Sequence, residues 1–314
     1  MLRIRKKPIN SILRGGKMNI SRMKRKLHIS LLGDKRTDYA PFFDNHFCEF
    51  HEFFSEWNPY SLKDAIRICQ FRTDKAESKV FLPDGSISIM IKCDPDDPKA
   101  EAIGIYNKMH LYHFDGNSEY LFIYPYSFQA MRNYTMIPRD FLNSTVSFLD
   151  VFPFPEFIEM LVKPEPFIQR VNLILDFFKK NLIDETYINS LLDYCLVALC
   201  IERGLMKIEK LSEIMGYSDS YIRKQFAQNM GYSPKKYNSM LRIHRVVKDL
   251  DAGISIQDAT HAAGYYDESH MYKDFSRFSH MTPREFVKIL QSGYRPESEG
   301  ISDETYILRV MMDI

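Results

Sequence analysis

Residues 205–290 state one pattern twice, and this repeat constrains the chain more than any other feature. The first copy runs Lys210-Leu-Ser-Glu-Ile-Met-Gly216-Tyr-Ser-Asp219, then Ser220-Tyr-Ile-Arg223-Lys224-Gln-Phe226, then Gly231-Tyr-Ser-Pro234-Lys-Lys-Tyr237. The second runs Ile256-Gln-Asp-Ala-Thr-His-Ala-Ala-Gly264-Tyr-Tyr-Asp267, then Glu268-Ser-His-Met-Tyr272-Lys273-Asp-Phe275, then Met281-Thr-Pro283-Arg-Glu-Phe286. Gly216 returns as Gly264 after 48 residues, and Phe226, Pro234 and Tyr237 return as Phe275, Pro283 and Phe286 after 49. A repeat of this length is one supersecondary unit used twice.

The punctuation says what the unit is. A short helix with Leu211, Ile214 and Met215 on one side ends at Gly216, the residue type best able to take the left-handed conformation that closes a helix. A second helix follows at once, with Ser218 or Asp219 as N-cap and Ile222 and Phe226 on its buried stripe. Two short helices joined by a tight glycine turn make a helix-turn-helix, whose second helix enters a DNA major groove. In the second copy Gly264 is the turn, Asp267 the cap, and Met271, Phe275 and Phe278 face inward. Between the copies, 237–250 reads as one long helix with Leu241, Val246, Val247 and Leu250 toward the core, holding the two units at a fixed separation.

The glycine-aromatic step, the phenylalanine of each second helix, the Ser/Thr-Pro that opens each closing helix and the connecting helix together resemble the DNA-binding domain of the AraC/XylS family of bacterial transcription regulators. His280 departs from the pattern, since the family commonly has glycine there. Histidine tolerates positive φ better than bulkier residues, so the departure concerns local turn geometry and not the fold.

The resemblance implies roles. Ser220, Arg223 and Lys224 turn outward on the first recognition helix and match family positions that contact bases; Arg or Lys to guanine is the commonest such contact. Glu268, Ser269, Tyr272 and Lys273 take the equivalent places on the second, where Glu268 either accepts from cytosine or repels phosphate. Solvated surface is the competing account of Arg223, Lys224, Glu268 and Tyr272. Lys235, Lys236, Arg242, Arg245, Arg277 and Arg284 are assigned to backbone phosphates, with Ser233 and Thr282 opening helices whose N-terminal amides suit a phosphate. Two readers about one DNA turn apart imply a site near 20 base pairs. The implied partners are double-stranded promoter DNA and RNA polymerase.

Net charge is +1 over 314 residues, but the balance is uneven. Residues 1–28 carry ten Lys or Arg and no acid; residues 202–293 carry fourteen basic against eleven acidic residues, which leaves the remainder near −12. Basic charge therefore lies where phosphates would be met. The leader, 1–28, reads either as a basic arm along the DNA backbone or as a flexible leader, with Met18 or Met23 as an alternative start. There is no apolar run near 18 residues and no secretory pattern at the start, so the expectation is a cytoplasmic protein with no membrane partner. Five cysteines, odd in number and without Cys-x-x-Cys spacing, fit reduced thiols better than a disulfide framework.

The expected fold class is α+β, with a β-rich N-terminal domain followed by an all-α C-terminal domain. From about residue 39 to 152 short aromatic and β-branched runs alternate with turns. Strands are predicted at 66–71, 79–82, 86–91, 102–106, 110–114 and 120–124, with turns at Pro83-Asp84-Gly85, 94–98 and 115–117. An antiparallel sandwich or barrel over 29–152 is the natural outcome, and Leu82-Pro83-Asp84-Gly85 followed later by Gly104 resembles the β-rich sensor domain of one AraC-type subgroup. If this domain binds an effector, Phe81, Tyr106, Tyr112 and Phe122 are the candidates, with ordinary core as the competing account. Neither a metal nor catalysis is expected: His110 and His113 lie three apart in a strand and point to opposite faces, His46 and His51 lack partners, and Asp94, Asp96 and Asp97 lack the remainder of a calcium loop.

Residues 128–149 read as helical. A connector over 153–204 offers amphipathic helices at 156–162, 166–181 and 184–203, which serve either to pair two copies as a homodimer or to pack on the β domain. The acidic tail, 291–314, carries no firm reading. A signalling protein with a degenerate DNA domain is the alternative function; a DNA-repair enzyme with the same double reader would need a zinc-bound cysteine cluster or a Pro-Cys-His site, and the chain has neither.

Overall fold

The computed structural model describes residues 49–55, 62–279 and 281–292. The basic leader, His46, Cys48, His280 and the tail after Ser292 lie outside them. Eight strands come first: β1 (Glu49–Phe54), β2 (Ile66–Thr73), β3 (Glu77–Phe81), β4 (Ser88–Lys92), β5 (Lys99–Ile103), β6 (His110–Phe114), β7 (Ser118–Pro125) and β8 (Thr145–Ser147). Six form one antiparallel sheet in the order β1-β2-β7-β4-β5-β8, and β3 pairs with β6 in a second. The central pair, β2 and β7, stays in register from Ile66 opposite Pro125 to Thr73 opposite Ser118.

Successive strand residues point to opposite faces, and here both faces are covered. Ile68, Ile89, Ile91, Leu121 and Ile123 lie in the large core shared with the helices. Their neighbours Cys69, Phe71, Met90, Tyr120 and Phe122 form a second cluster with Tyr112 and Phe114 of the β3–β6 ribbon. This double burial is why these runs lack clean polar alternation.

The helices are α1 (Phe148–Val151), α2 (Pro155–Leu161), α3 (Phe167–Phe177), α4 (Leu191–Ile201), α5 (Ile208–Met215), α6 (Asp219–Met230), α7 (Pro234–Asp251), α8 (Ile256–Ala262), α9 (Glu268–Ser279) and α10 (Pro283–Ser292). All six predicted strands are present, but β5 starts earlier than predicted, and β1 and β8 had no counterpart in the reading. Residues 128–149 are not a helix. Asn133 and Asn143 take φ of 58° and 56°, Ile137 is extended before Pro138, and these breaks leave two 3-10 turns and β8. The predicted helix over 184–203 begins only at Leu191, where Ser190 and Asp193 form a reciprocal capping box.

The connector packs on the β domain. Arg170 of α3, 1% exposed, donates to Gln70 Oε1 (3.0 Å), to Glu119 and to the carbonyl of Lys163 (3.0 Å). The C-terminal half is seated on the same core at four points. His244 Nε2 on α7 donates to the carbonyl of Pro83, 2.8 Å away. Gly85, at φ 75°, lies so close to Tyr232, Tyr237 and Met240 that a Cβ there would sit 2.1 Å from the Tyr232 hydroxyl. Leu142 fills the space where a Cβ of Gly231 would stand. The Met109 amide donates to the carbonyl of Phe278 on α9, 2.7 Å.

Candidate nucleic-acid interface

Both predicted units form as helix-turn-helix pairs. Gly216 closes α5 at φ 74° and Ser218 caps α6, its side chain accepting from the Tyr221 amide. In the second unit Gly264 takes φ 71° and Asp267 caps α9 by accepting from the His270 amide at 2.7 Å. Ile222 and Phe226 on α6, and Met271, Phe275 and Phe278 on α9, are buried, each phenylalanine contributing about 2–3 kcal/mol of burial. α7 joins the units, with Tyr237, Val246 and Val247 fully buried along it.

Burying these stripes turns the opposite faces outward. Ser220, Arg223 and Lys224 are exposed on α6, and Ser269 and Lys273 on α9; Glu268 and Tyr272 are half-buried. The sequence reading left out His270, which is exposed beside Ser269 and Lys273; its place on the outward face follows from helical spacing alone. Tyr266, 88% exposed two residues before α9, is a second residue that reading passed over.

The residues assigned to phosphate divide into two groups. Lys235 and Arg284 are exposed, and Arg277 is 61% exposed while bonded to Asp274 at 2.7 Å. The others are engaged inside the molecule. Arg242 pairs with Asp274 at 3.0 Å and stacks 4.1 Å over the Tyr265 ring. Arg245 pairs with Asp249 one helical turn on, at 2.9 Å. Lys236 is half-buried, 5.8 Å from the Phe278 ring, and burial followed by repulsion from Lys108 pulls its pKa down. Ser233 and Thr282 both cap their helices: Ser233 accepts from the Lys236 amide, and Thr282 shares a reciprocal box with Glu285. Their hydroxyls already meet helix amides, so any phosphate there would meet the remaining N-terminal amides.

The effector candidates Phe81, Tyr106, Tyr112 and Phe122 do converge. They line one cavity of about 30 Å³ with His110, and the rings pack on each other, Phe81 against Phe122 at 6.4 Å and Tyr106 against His110 at 3.8 Å. Burial alone pushes the His110 pKa down to about 3. Among the described residues, Cys69, Cys93, Cys195 and Cys200 form no disulfide, and burial raises the pKa of Cys93, Cys195 and Cys200. Among those residues, too, no group of three or more His, Cys, Asp or Glu is placed to hold a metal ion, and no helix is long and apolar enough to cross a membrane.

Comparison with known proteins places this geometry. Residues 211–289 match the family described as "Helix-turn-helix domain". An uncharacterised HTH-type transcriptional regulator, YbfI of Bacillus subtilis (strain 168), is 33% identical over 64 residues, 20% of this chain and 23% of that protein. Another from Staphylococcus aureus (strain MRSA252) is 25% identical over 108 residues, 34% of this chain and 14% of that protein. The chain thus spans under a quarter of the length of these relatives. ToxT from Vibrio cholerae aligns loosely, at TM-score 0.39 and 11% identity, over 76% of this chain and 98% of that one. Residues 211–289, with two helix-turn-helix units on one shared helix, are a helix-turn-helix domain of the AraC/XylS type.

Proposed function

We propose that this chain is a sequence-specific double-stranded DNA-binding transcriptional regulator that reads two adjacent major grooves with α6 and α9. One observation carries the reading: in both units the apolar stripe is buried, and the face that remains presents Arg223 and Lys224 on α6 and Lys273 on α9 to solvent. Ser220, Arg223 and Lys224, with Ser269 and Lys273, then meet base edges, while Glu268 and Tyr272 stand at the margin of that face. Lys235, Arg277 and Arg284 serve the backbone, and the internal pairing of Arg242 and Arg245 gives them the task of holding the helices. The protein works in the cytoplasm on promoter DNA, with RNA polymerase as its protein partner and a small molecule as its regulator.

The test is a selection of bound fragments from random DNA with the full-length protein, followed by affinity measurements on the enriched site. Arg223→Ala is expected to weaken binding by about 1–3 kcal/mol and to relax preference at one base position, whereas Lys235→Ala weakens specific and random DNA alike and lowers the salt slope by about 1. Failure to enrich any motif near 20 base pairs would reject the reading.

A further inference from the structure

Among the described residues, two cavities that adjoin the β domain differ in size. The one behind Phe81, Tyr106, Tyr112 and Phe122 measures about 30 Å³, room for about one water molecule. The other measures about 160 Å³, close to that of a cavity that holds one benzene ring. Its walls come from three parts of the chain: Ile87 and Ile105 of the β domain, Leu192 and Leu196 of α4, and Met230 with Gln228 and Asn229 from the last turn of α6. Arg67, Asp84 and Ser86 supply polar lining. Arg67 is 2% exposed, paired with Glu52, and 5.6 Å over the Tyr124 ring; Asp84 accepts from the Ser86 amide at 2.8 Å.

We infer that this junction cavity is a binding site for a compact, mostly apolar organic molecule of about one ring with a single hydrogen-bonding group, and that its occupancy is felt by the first reading unit. The aliphatic walls take the ring, and the polar lining around Asp84 and Ser86 takes its one polar group. Three of the four points at which the C-terminal half is seated lead off the cavity, two through the Pro83–Gly85 turn and one through Leu142. Asp84 and Gly85 line it, while the adjoining Pro83 carbonyl accepts from His244 and Gly85 itself presses on Tyr232, Tyr237 and Met240. Elsewhere in the lining, Ile137 and Pro138 lead along the chain to Leu142, whose Cδ2 stands 2.6 Å from the place of a Gly231 Cβ at the C-cap of α6. A molecule in the cavity therefore bears on both grips, and it shifts the reading unit by as much as its affinities for the two arrangements differ. The regulatory half of the inference rests on the DNA-binding reading; the site itself rests on geometry.

The probes are phenol and toluene, titrated into the full-length protein and followed by saturation-transfer NMR, with DNA affinity measured with and without saturating phenol. Expected are saturable binding of phenol tighter than toluene, a change in DNA affinity of at least about fivefold, and an equal reciprocal change in phenol affinity on adding DNA. Ile137→Trp, at a position 45% exposed, and Leu196→Trp should each abolish phenol binding, the first with melting unchanged because the fold does not depend on that side chain. Absence of saturable binding, or binding that survives both substitutions, overturns the site. Cavity-dependent binding without any change in DNA affinity overturns the coupling. A protein that selects no DNA motif yet binds phenol in the cavity rejects the DNA reading and leaves the site standing.

Discussion

The two helix-turn-helix units repeat one sequence pattern but are held in different ways. The buried phenylalanines correspond, Phe226 to Phe275, so Gln225 of α6 stands where α9 has Asp274. Gln225 is half-buried, and its carbonyl accepts from Asn229 within the same helix. Asp274 is 2% exposed and gathers Ser239 (3.2 Å), Arg242 (3.0 Å) and Arg277 (2.7 Å). The second unit is thus pinned to α7 by a buried charge network. The first meets the β domain through apolar packing, by Leu142 at Gly231 and by the cavity beside Met230, whereas the second meets it at the Met109–Phe278 backbone bond. A rigid pairing with the connecting helix suits a fixed reading head, and an apolar seat on the β domain suits a head whose setting can be changed.

The largest effect should come from breaking that difference at its centre. Asp274→Ala leaves the half-buried Arg242 guanidinium without its carboxylate, an arrangement that costs about 3–5 kcal/mol when the lost pair is buried. Gln225→Ala at the matching position is expected to cost under about 1 kcal/mol, since it removes no buried charge. Chemical denaturation of the full-length protein measures both; near-equal losses would show that the Asp274 network does not distinguish the units.

Acid should act on the β-domain side of the comparison. Burial lowers the pKa of His110 to about 3 and also lowers that of His244, whose bond to the Pro83 carbonyl and whose neighbour Asp84 oppose the shift without reversing it. Both are therefore neutral in the folded protein near pH 7, whereas in the unfolded chain they titrate near 6.5. Their contribution is fully present above that value and is lost as pH falls below it. Between pH 7 and pH 5 the loss from His110 is about 1–2 kcal/mol. His110→Phe should flatten that part of the stability curve, and His244→Gln, which keeps a donor for the carbonyl, should flatten it further. A curve that keeps its slope in both variants would reject this account.

The legible parts of this chain are those where local chemistry decides. Gly216, Ser218 and Asp267 announced the helix ends because a left-handed residue and a short oxygen-bearing side chain have few other uses in such places. The short aromatic and β-branched runs of β2 and β7, bounded by turns, announced strands even though both faces are buried. The stretch from Phe128 to Leu149 misled because its apolar spacing suits a helix, while Asn133, Asn143 and the extended Ile137 break the backbone at points that only the three-dimensional packing requires. Gly104 had a use that no local pattern reveals: a Cβ there would lie 1.9 Å from the Phe141 carbonyl oxygen. The same holds for the interface. Exposure of Arg223 and Lys224 follows from helical period, but the capture of Arg242 by Asp274 and of Arg245 by Asp249 depends on which charges the fold brings within reach. The cavity is the extreme case, since α4, α6 and the β domain meet there and residues as distant in sequence as Arg67 and Met230 share its lining.

The smallest expected effect tests the turns themselves. Gly216 and Gly264 occupy corresponding places at φ 74° and 71°, and alanine at either position adopts a left-handed conformation at about 1–2 kcal/mol. The surroundings differ. A Cβ at Gly216 meets nothing within 4 Å, whereas one at Gly264 would stand 2.3 Å from Leu205 Cδ2. Leu205 is 50% exposed, so its tip swings aside at small cost, and Gly264→Ala should exceed Gly216→Ala by under about 1 kcal/mol. Paired melting curves on the two variants, with Leu205→Ala added to the second, decide the matter. If Leu205→Ala fails to bring Gly264→Ala level with Gly216→Ala, the excess comes from the backbone of the second turn, and the two units differ in their turns as well as in their anchors.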